Sequence, residues 1–340
     1  MIILLCIIGI LLLAALGFVI AGLILAHRQF HCRFEGGGDY FPYFSGLHPD
    51  WQRESVSFPG TAGTLRGWLF SYPDVPSKGL IVFFHGYGMS HADYLPECEY
   101  FCRRGYRVLS FDGTGTGISD GLLLGLPQHI LDLQACLRYV CSQPGLSSLP
   151  LLLYGHSWGG YAADCIGALE SFPIRGIVSA AGFYGSLSAL APYTRRHYGP
   201  LAPLPLLGIR LYQRLRFGRL VGITAVKGLS RQSCPVLIAQ SDDDRILPYK
   251  KNYMVLYRHF HDNPRFTFLP LAGHDHNITT PHELDLQKLK LLKVLRSPNP
   301  PASAIDEINR LKTITDEDLL GKFADFFDRC LNLQNCAASN

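Results

Sequence analysis

The chain has 340 residues, 48% of them hydrophobic and 17% charged, with a formal net charge of +4 at neutral pH. So small an excess of mostly scattered basic residues excludes a charge-built nucleic-acid interface. The ten cysteines form no Cys-x-x-Cys pair and no Cys/His spacing suited to zinc, which excludes a structural zinc site and a disulfide scaffold; they read as free, mostly buried thiols in a reducing compartment.

Ile2 to Ala26 is an apolar run without a charged or strongly polar side chain. As a helix it spans roughly 37 Å at about 1.5 Å per residue, more than the ~30 Å hydrocarbon core of a bilayer. A cleavable signal peptide would carry a basic residue ahead of an apolar stretch of only about 7–15 residues. Residues 2–26 are therefore predicted to be a single transmembrane helix. Arg28 and Arg33 follow it and no basic side chain precedes it, so the positive-inside rule puts the rest of the chain on the cytoplasmic side.

Residues 27–53 read as a connector, rich in Gly and aromatics in its later part and without clear periodicity. The runs Glu54–Phe58 and Thr64–Tyr72 flank a Pro-Gly-Thr-Ala-Gly turn and predict an antiparallel hairpin. Gly79–Phe84, Tyr106–Phe111, Leu149–Tyr154, Gly176–Ala181, Pro235–Ala239 and Arg265–Leu269 are short apolar runs, the first four each followed by a loop and a helix-like segment. Strands covered by helices on both faces look like this. The expected fold class is α/β, one doubly wound and mostly parallel sheet over residues 54–340. Residues 186–231 interrupt the rhythm with eight Arg or Lys side chains among Leu, Tyr and Phe and no acidic residue. They are predicted to form a mostly helical cap over the C-terminal edge of the sheet. Its basic face either lies against an anionic membrane surface or is simply solvated.

Gly155-His156-Ser157-Trp158-Gly159 follows an apolar strand and opens an Ala-rich helical stretch. This is the nucleophile-elbow pattern, in which a sharp strand-to-helix turn exposes the serine hydroxyl. A second match, Gly117-Ile118-Ser119-Asp120-Gly121, lies inside a Gly/Thr loop away from any strand end and reads as a loop. The serine needs a base, and the base an acid to orient it, in the chain order Ser, Asp or Glu, His. Asp242-Asp243-Asp244 follows the run Pro235–Ala239, and Gly273-His274-Asp275-His276 follows Arg265–Leu269. His274, nearer the strand, is preferred to His276 as the base; a metal site built from His274, Asp275 and His276 lacks further ligands nearby. An oxyanion hole needs two backbone N–H donors. They are expected from Trp158, just after the nucleophile, and from Tyr87 in the loop His85-Gly86-Tyr87-Gly88. Neither that loop nor Gly113–Gly117 has a Walker lysine or dinucleotide spacing, so no phosphate site is expected.

Together with Asp112-Gly113-Thr114-Gly115-Thr116-Gly117-Ile118-Ser119-Asp120-Gly121, these motifs make residues 55–330 resemble the α/β-hydrolases grouped with monoacylglycerol lipases and the serine aminopeptidase family. The resemblance implies that the acid is Asp244, aligned through Ser241-Asp242-Asp243-Asp244-Arg245-Ile246-Leu247-Pro248 with the family's Gly-x-x-Asp-x-x-Val-Pro, with Asp243 as the neighbouring register. The basic cap and the extra helix expected over residues 281–312, ahead of the amphipathic stretch Thr315–Leu331, depart from the family pattern. The implied activity is a serine hydrolase cleaving lipid or other acyl esters through Ser157, Asp244 and His274, anchored to the membrane, without cofactor, metal or nucleic acid. Peptidase, amidase, thioesterase and catalytically inactive membrane-binding roles use the same fold.

Overall fold

A computed structural model describes residues 1–36, 41–295 and 301–337. The apolar runs become β1 (Gln52–Gly60), β2 (Gly63–Ser71), β3 (Leu80–Phe84), β4 (Arg107–Phe111), β5 (Leu151–His156), β6 (Ile174–Ala180), β7 (Val236–Ser241) and β8 (Phe266–Leu271). They form one sheet in the order β1-β2-β4-β3-β5-β6-β7-β8, antiparallel at β1/β2 and β2/β4 and parallel elsewhere. Both β7 and β8 run on past the expected Ala239 and Leu269, pairing Gln240 with Pro270 and Ser241 with Leu271. That extension matters for the site.

The helices are α1 (Ile2–Phe30), α2 (Phe41–Leu47), α3 (Leu95–Arg103), α4 (Gln128–Ser142), α5 (Pro144–Ser147), α6 (Trp158–Cys165), α7 (Ser186–Tyr198), α8 (Pro203–Phe217), α9 (Ala225–Leu229), α10 (Tyr253–Phe260), α11 (His282–Leu295), α12 (Ala302–Lys312) and α13 (Glu317–Ala337). Every residue of β3 and β5 is buried, because alternate side chains enter two separate cores. Leu80, Val82 and Phe84 pack with Ile130 and Leu133 of α4 and Tyr161 of α6. Ile81 and Phe83 pack with Leu95 and Phe101 of α3 and Phe323 and Phe327 of α13. Residues 186–231 hold α7, α8 and α9, joined by short 3-10 turns.

Helix α1 continues to Phe30, four residues past the expected end, since His27-Arg28-Gln29-Phe30 contains no Gly or Pro to stop it. Its buried residues are Gly22, Ala26 and Phe30, spaced to share one face. That face meets α8 backbone to backbone. A Cβ added at Gly22 would lie 2.1 Å from the Pro205 carbonyl oxygen, and one at Gly208 2.1 Å from that of Val19. Most residues of the N-terminal half of α1 are exposed.

Behind the sheet, Asp164 of α6 is fully buried. The Ser179 hydroxyl donates to its Oδ2 at 2.8 Å, and Oδ1 has no partner among the described residues. Burial pushes this carboxyl up to about 7, above the ~3.9 of an unfolded chain. The stability it contributes is complete below that unfolded value and is lost as pH rises through about 7, where the unfolded state gives up its proton more readily. Asp164→Asn is therefore expected to raise the thermal midpoint by several degrees at pH 8 and hardly at all at pH 4. Equal shifts at both pH values in a melting series would assign the effect to packing instead.

Candidate active site

β5 ends at His156 and α6 begins at Trp158, leaving Ser157 alone to make the turn at φ 54°. Only Ala181 (φ 50°) joins it among described non-glycine residues with positive φ, a conformation costing an L-residue of order 1–2 kcal/mol. The turn is held from the side: the Ser157 N–H donates to the Ala180 carbonyl at 2.8 Å, and the Ala181 N–H to that of Ala239 at 2.7 Å. Close approach explains the two glycines. A Cβ at Gly155 would sit 2.3 Å from the Gly159 carbonyl oxygen, and one at Gly159 2.0 Å from that of Phe84.

The Ser157 hydroxyl donates to His276 Nε2 at 2.7 Å, and His276 Nδ1–H donates to Asp244 Oδ2 at 2.9 Å. The other carboxylate oxygen, Oδ1, accepts the N–H groups of Ile246 (2.9 Å) and Leu247 (2.7 Å). Burial opposes ionisation of Asp244, but the His276 bond and these backbone donors outweigh it and hold the carboxyl below its ordinary range. An ionised carboxylate only accepts, so Nδ1 carries the imidazole proton and Nε2 is free to take one.

The histidine in this constellation is His276, not the expected His274. β8 extends to Leu271, and Gly273 then reverses the chain at φ 73°. His274 is left facing away, with Nε2 3.3 Å from Asp316 Oδ2 and Nδ1 3.1 Å from the Ala272 carbonyl oxygen. Asp275 pairs with Arg245 at 3.1 Å, and its Oδ1 accepts the His276 N–H at 2.9 Å. The three side chains of His274-Asp275-His276 thus diverge to three different partners. Of the aspartates, Asp244 is buried against His276 while Asp242 and Asp243 are exposed.

Sequence reasoning passed over His156 and Tyr94. Tyr94 donates its hydroxyl proton to His156 Nδ1 at 2.7 Å and accepts the Gly86 N–H at 3.0 Å, while His156 Nε2–H donates to the His276 carbonyl at 3.1 Å. Burial lowers His156 to about 3, so it is neutral and ties the Gly86 loop to the backbone of His276. Its place inside Gly-x-Ser was the one available hint. The Gly-rich loops are joined in the same manner: the Gly113 N–H donates to His85 Nε2 at 2.9 Å, and His85 Nδ1–H to the Gly86 carbonyl at 2.8 Å. Ser119 fastens its loop, its hydroxyl donating to the Asp112 carbonyl at 2.6 Å and accepting the Arg66 N–H at 2.8 Å.

Trp158 is the first residue of α6, where N–H groups have no carbonyl four residues back. Its indole stacks on His129 at 3.4 Å and donates to the Leu126 carbonyl at 2.8 Å. The Tyr87 ring lies 5.5 Å from it, and both Tyr87 and Ser157 line a cavity of about 200 Å³. The cap contributes Ala189, Leu190, Tyr193 and Ile209, and α1 contributes Leu25, Ala26, Gln29 and Phe30; no charged side chain is among the described lining residues.

Residues 75–209 match the family model described as serine aminopeptidase, S33, a span that holds Tyr87, Ser157 and Trp158 and ends before Asp244 and His276. The uncharacterized protein YfhR of Escherichia coli is 29% identical over 152 residues, 42% of this chain and about half (52%) of that protein's length. A monoacylglycerol lipase of Mycolicibacterium smegmatis is 24% identical over 242 residues, 61% of this chain and 84% of the lipase. In three dimensions, an esterase from Pyrococcus furiosus superposes with a TM-score of 0.60 at 18% identity, covering 89% of this chain and 98% of the esterase, a likeness of fold. The chain has the α/β-hydrolase fold, and over part of its length it is similar to the S33 serine aminopeptidase model and to a monoacylglycerol lipase.

Proposed function

We propose that the protein hydrolyses carboxylic esters of single-chain acyl compounds through an acyl-enzyme on Ser157. The observation that carries this is the Ser157 hydroxyl, bonded at 2.7 Å to His276 Nε2 on the wall of an uncharged apolar cavity. Ser157 Oγ attacks the ester carbonyl while its proton passes to His276, and Asp244 steadies the imidazolium. The N–H groups of Trp158 and Tyr87 receive the tetrahedral oxyanion. Collapse expels the alcohol, which takes the proton from His276. Water, deprotonated by the same nitrogen, then releases the acid and restores Ser157.

Two features favour acyl esters over peptides with a free amino terminus. Binding a protonated amine in a dry pocket calls for an acidic partner, and no carboxylate is among the described lining residues. The cavity of about 200 Å³ is also smaller than the ~300–1,000 Å³ of drug-sized ligand sites, which suits one chain rather than two. Helix α1, long and apolar enough to cross a membrane, is read as a single-pass anchor, with the hydrolase domain on the cytoplasmic side of Arg28 and Arg33.

The test is a series of chromogenic esters of increasing acyl length, run alongside a fluorophosphonate whose adduct is mapped by mass spectrometry. Turnover with an optimum at intermediate length, and an adduct on Ser157, are expected. An adduct without turnover of any ester would move the assignment to amides or thioesters, and absence of an adduct would sink the hydrolase mechanism.

A further inference from the structure

Helix α1 has a role that an anchor does not require. Its last turns form one side of the cavity that contains Ser157, through Leu25, Ala26, Gln29 and Phe30. Ala26 and Phe30 are each only 1% exposed. Gln29 holds the Tyr87 hydroxyl from two directions: its Nε2–H donates to that oxygen at 2.8 Å, and the hydroxyl donates to the Gln29 carbonyl at 3.0 Å. The Phe30 ring lies 6.3 Å from Tyr212 of α8, stacked on it, and 6.4 Å from Tyr87, edge-on.

The helix is also fixed at both ends of this contact. Upstream, Gly22 and Gly208 let α1 and α8 touch through their backbones. Downstream, the Phe34 N–H donates to the Gly115 carbonyl at 2.9 Å, the Gly117 N–H to that of Phe34 at 2.8 Å, and the Leu123 N–H to that of Cys32 at 2.8 Å. A tethered anchor would need none of these bonds. Here the segment after α1 is stitched to the loop that supports the Tyr87 loop through His85.

We infer that the C-terminal third of α1 is the acyl-chain wall of the active site and that Leu25 and Phe30 help to set the chain length admitted to Ser157. The inference rests on the acyl-hydrolase reading above and names the element that selects the substrate. The cap supplies the facing wall, and the two meet over the nucleophile. A bulkier side chain on the α1 wall shortens the usable channel and penalises long chains more than short ones.

The experiment compares labelling rates of the full-length protein with a short-chain and a dodecyl fluorophosphonate in detergent. Leu25 is half-buried and lines the cavity. In Leu25→Trp the dodecyl-to-short rate ratio is expected to fall about tenfold, the effect of removing roughly two methylenes from burial. Leu25→Phe, a milder change, is expected to shift the ratio in the same direction by less. Leu12→Trp, on the exposed half of α1, is expected to keep the wild-type ratio. A wild-type ratio in both Leu25 variants would overturn the inference while leaving the hydrolase reading intact. Failure of wild-type Ser157 to react with either probe would overturn both.

Discussion

His276→Ala is expected to lower kcat on a chromogenic ester by about 10⁴-fold or more, the usual cost of losing the base from a serine triad. His274→Ala is expected to change kcat only a few-fold. The contrast follows from hydrogen bonds two residues apart. His276 Nε2 accepts the Ser157 proton at 2.7 Å, and its Nδ1–H is oriented by Asp244 at 2.9 Å. Without it, the serine hydroxyl has no side-chain acceptor among the described residues and attacks as a neutral alcohol. His274 faces Asp316 at 3.3 Å, with both side chains about a quarter exposed, and an ion pair of that kind is worth ~0–1 kcal/mol. Steady-state kinetics of the two variants, with melting curves to show that each is folded, settle the assignment. A large loss in His274→Ala with full activity in His276→Ala would reverse it.

The reason the sequence pointed to His274, rather than to the histidine bonded to Ser157, is local. Pro270 reads as the end of the run Arg265–Leu269, so His274 looked like the first histidine of the next loop. The ladder continues to Leu271 because Ser241 and Gln240 extend the neighbouring strand as well, and ladder length depends on the partner strand. The bend at Gly273 then spends one residue reversing direction. Ser157, by contrast, was legible because the elbow's packing demands are written into it: hydrogen is the only side chain that fits at Gly155 and Gly159. The central strands β3, β5 and β7 were legible for the same kind of reason, burial on both faces. Helix α1 was half legible. Its apolar run announced a long helix, but the docking face of Gly22, Ala26 and Phe30 is invisible against a background that is apolar all round. That α1 would pack against α8 and reach the cavity was not legible, because the contact joins segments 180 or so residues apart and no periodicity reports it.

Asp244→Asn is expected to cost about 10⁴-fold in kcat, and Asp243→Asn almost nothing, although the two side chains are adjacent in sequence. Oδ1 of Asp244 accepts two backbone N–H groups, from Ile246 and Leu247, at 2.9 and 2.7 Å. In the asparagine variant the carbonyl oxygen must occupy that place, because an amide NH₂ there would oppose two donors. The NH₂ is then turned onto His276 Nδ1, which is forced to accept. The imidazole proton moves to Nε2, the atom that must be bare to receive the proton of Ser157. The variant thus keeps its fold but holds the wrong tautomer, and the Gln240 Nε2–H that Oδ2 accepts at 3.3 Å loses its acceptor. The same carboxylate is held below its ordinary range, with burial opposed by the His276 and backbone bonds, so in the wild type it is charged at neutral pH and orients Nδ1. Asp243 is exposed and its carboxylate lies outside this network, so its amide is tolerated. The measurement is kcat and the fluorophosphonate labelling rate for both variants at equal melting temperature. An Asp244→Asn enzyme within tenfold of wild type would mean that His276 keeps its tautomer without the carboxylate, and that the orienting role lies with another group.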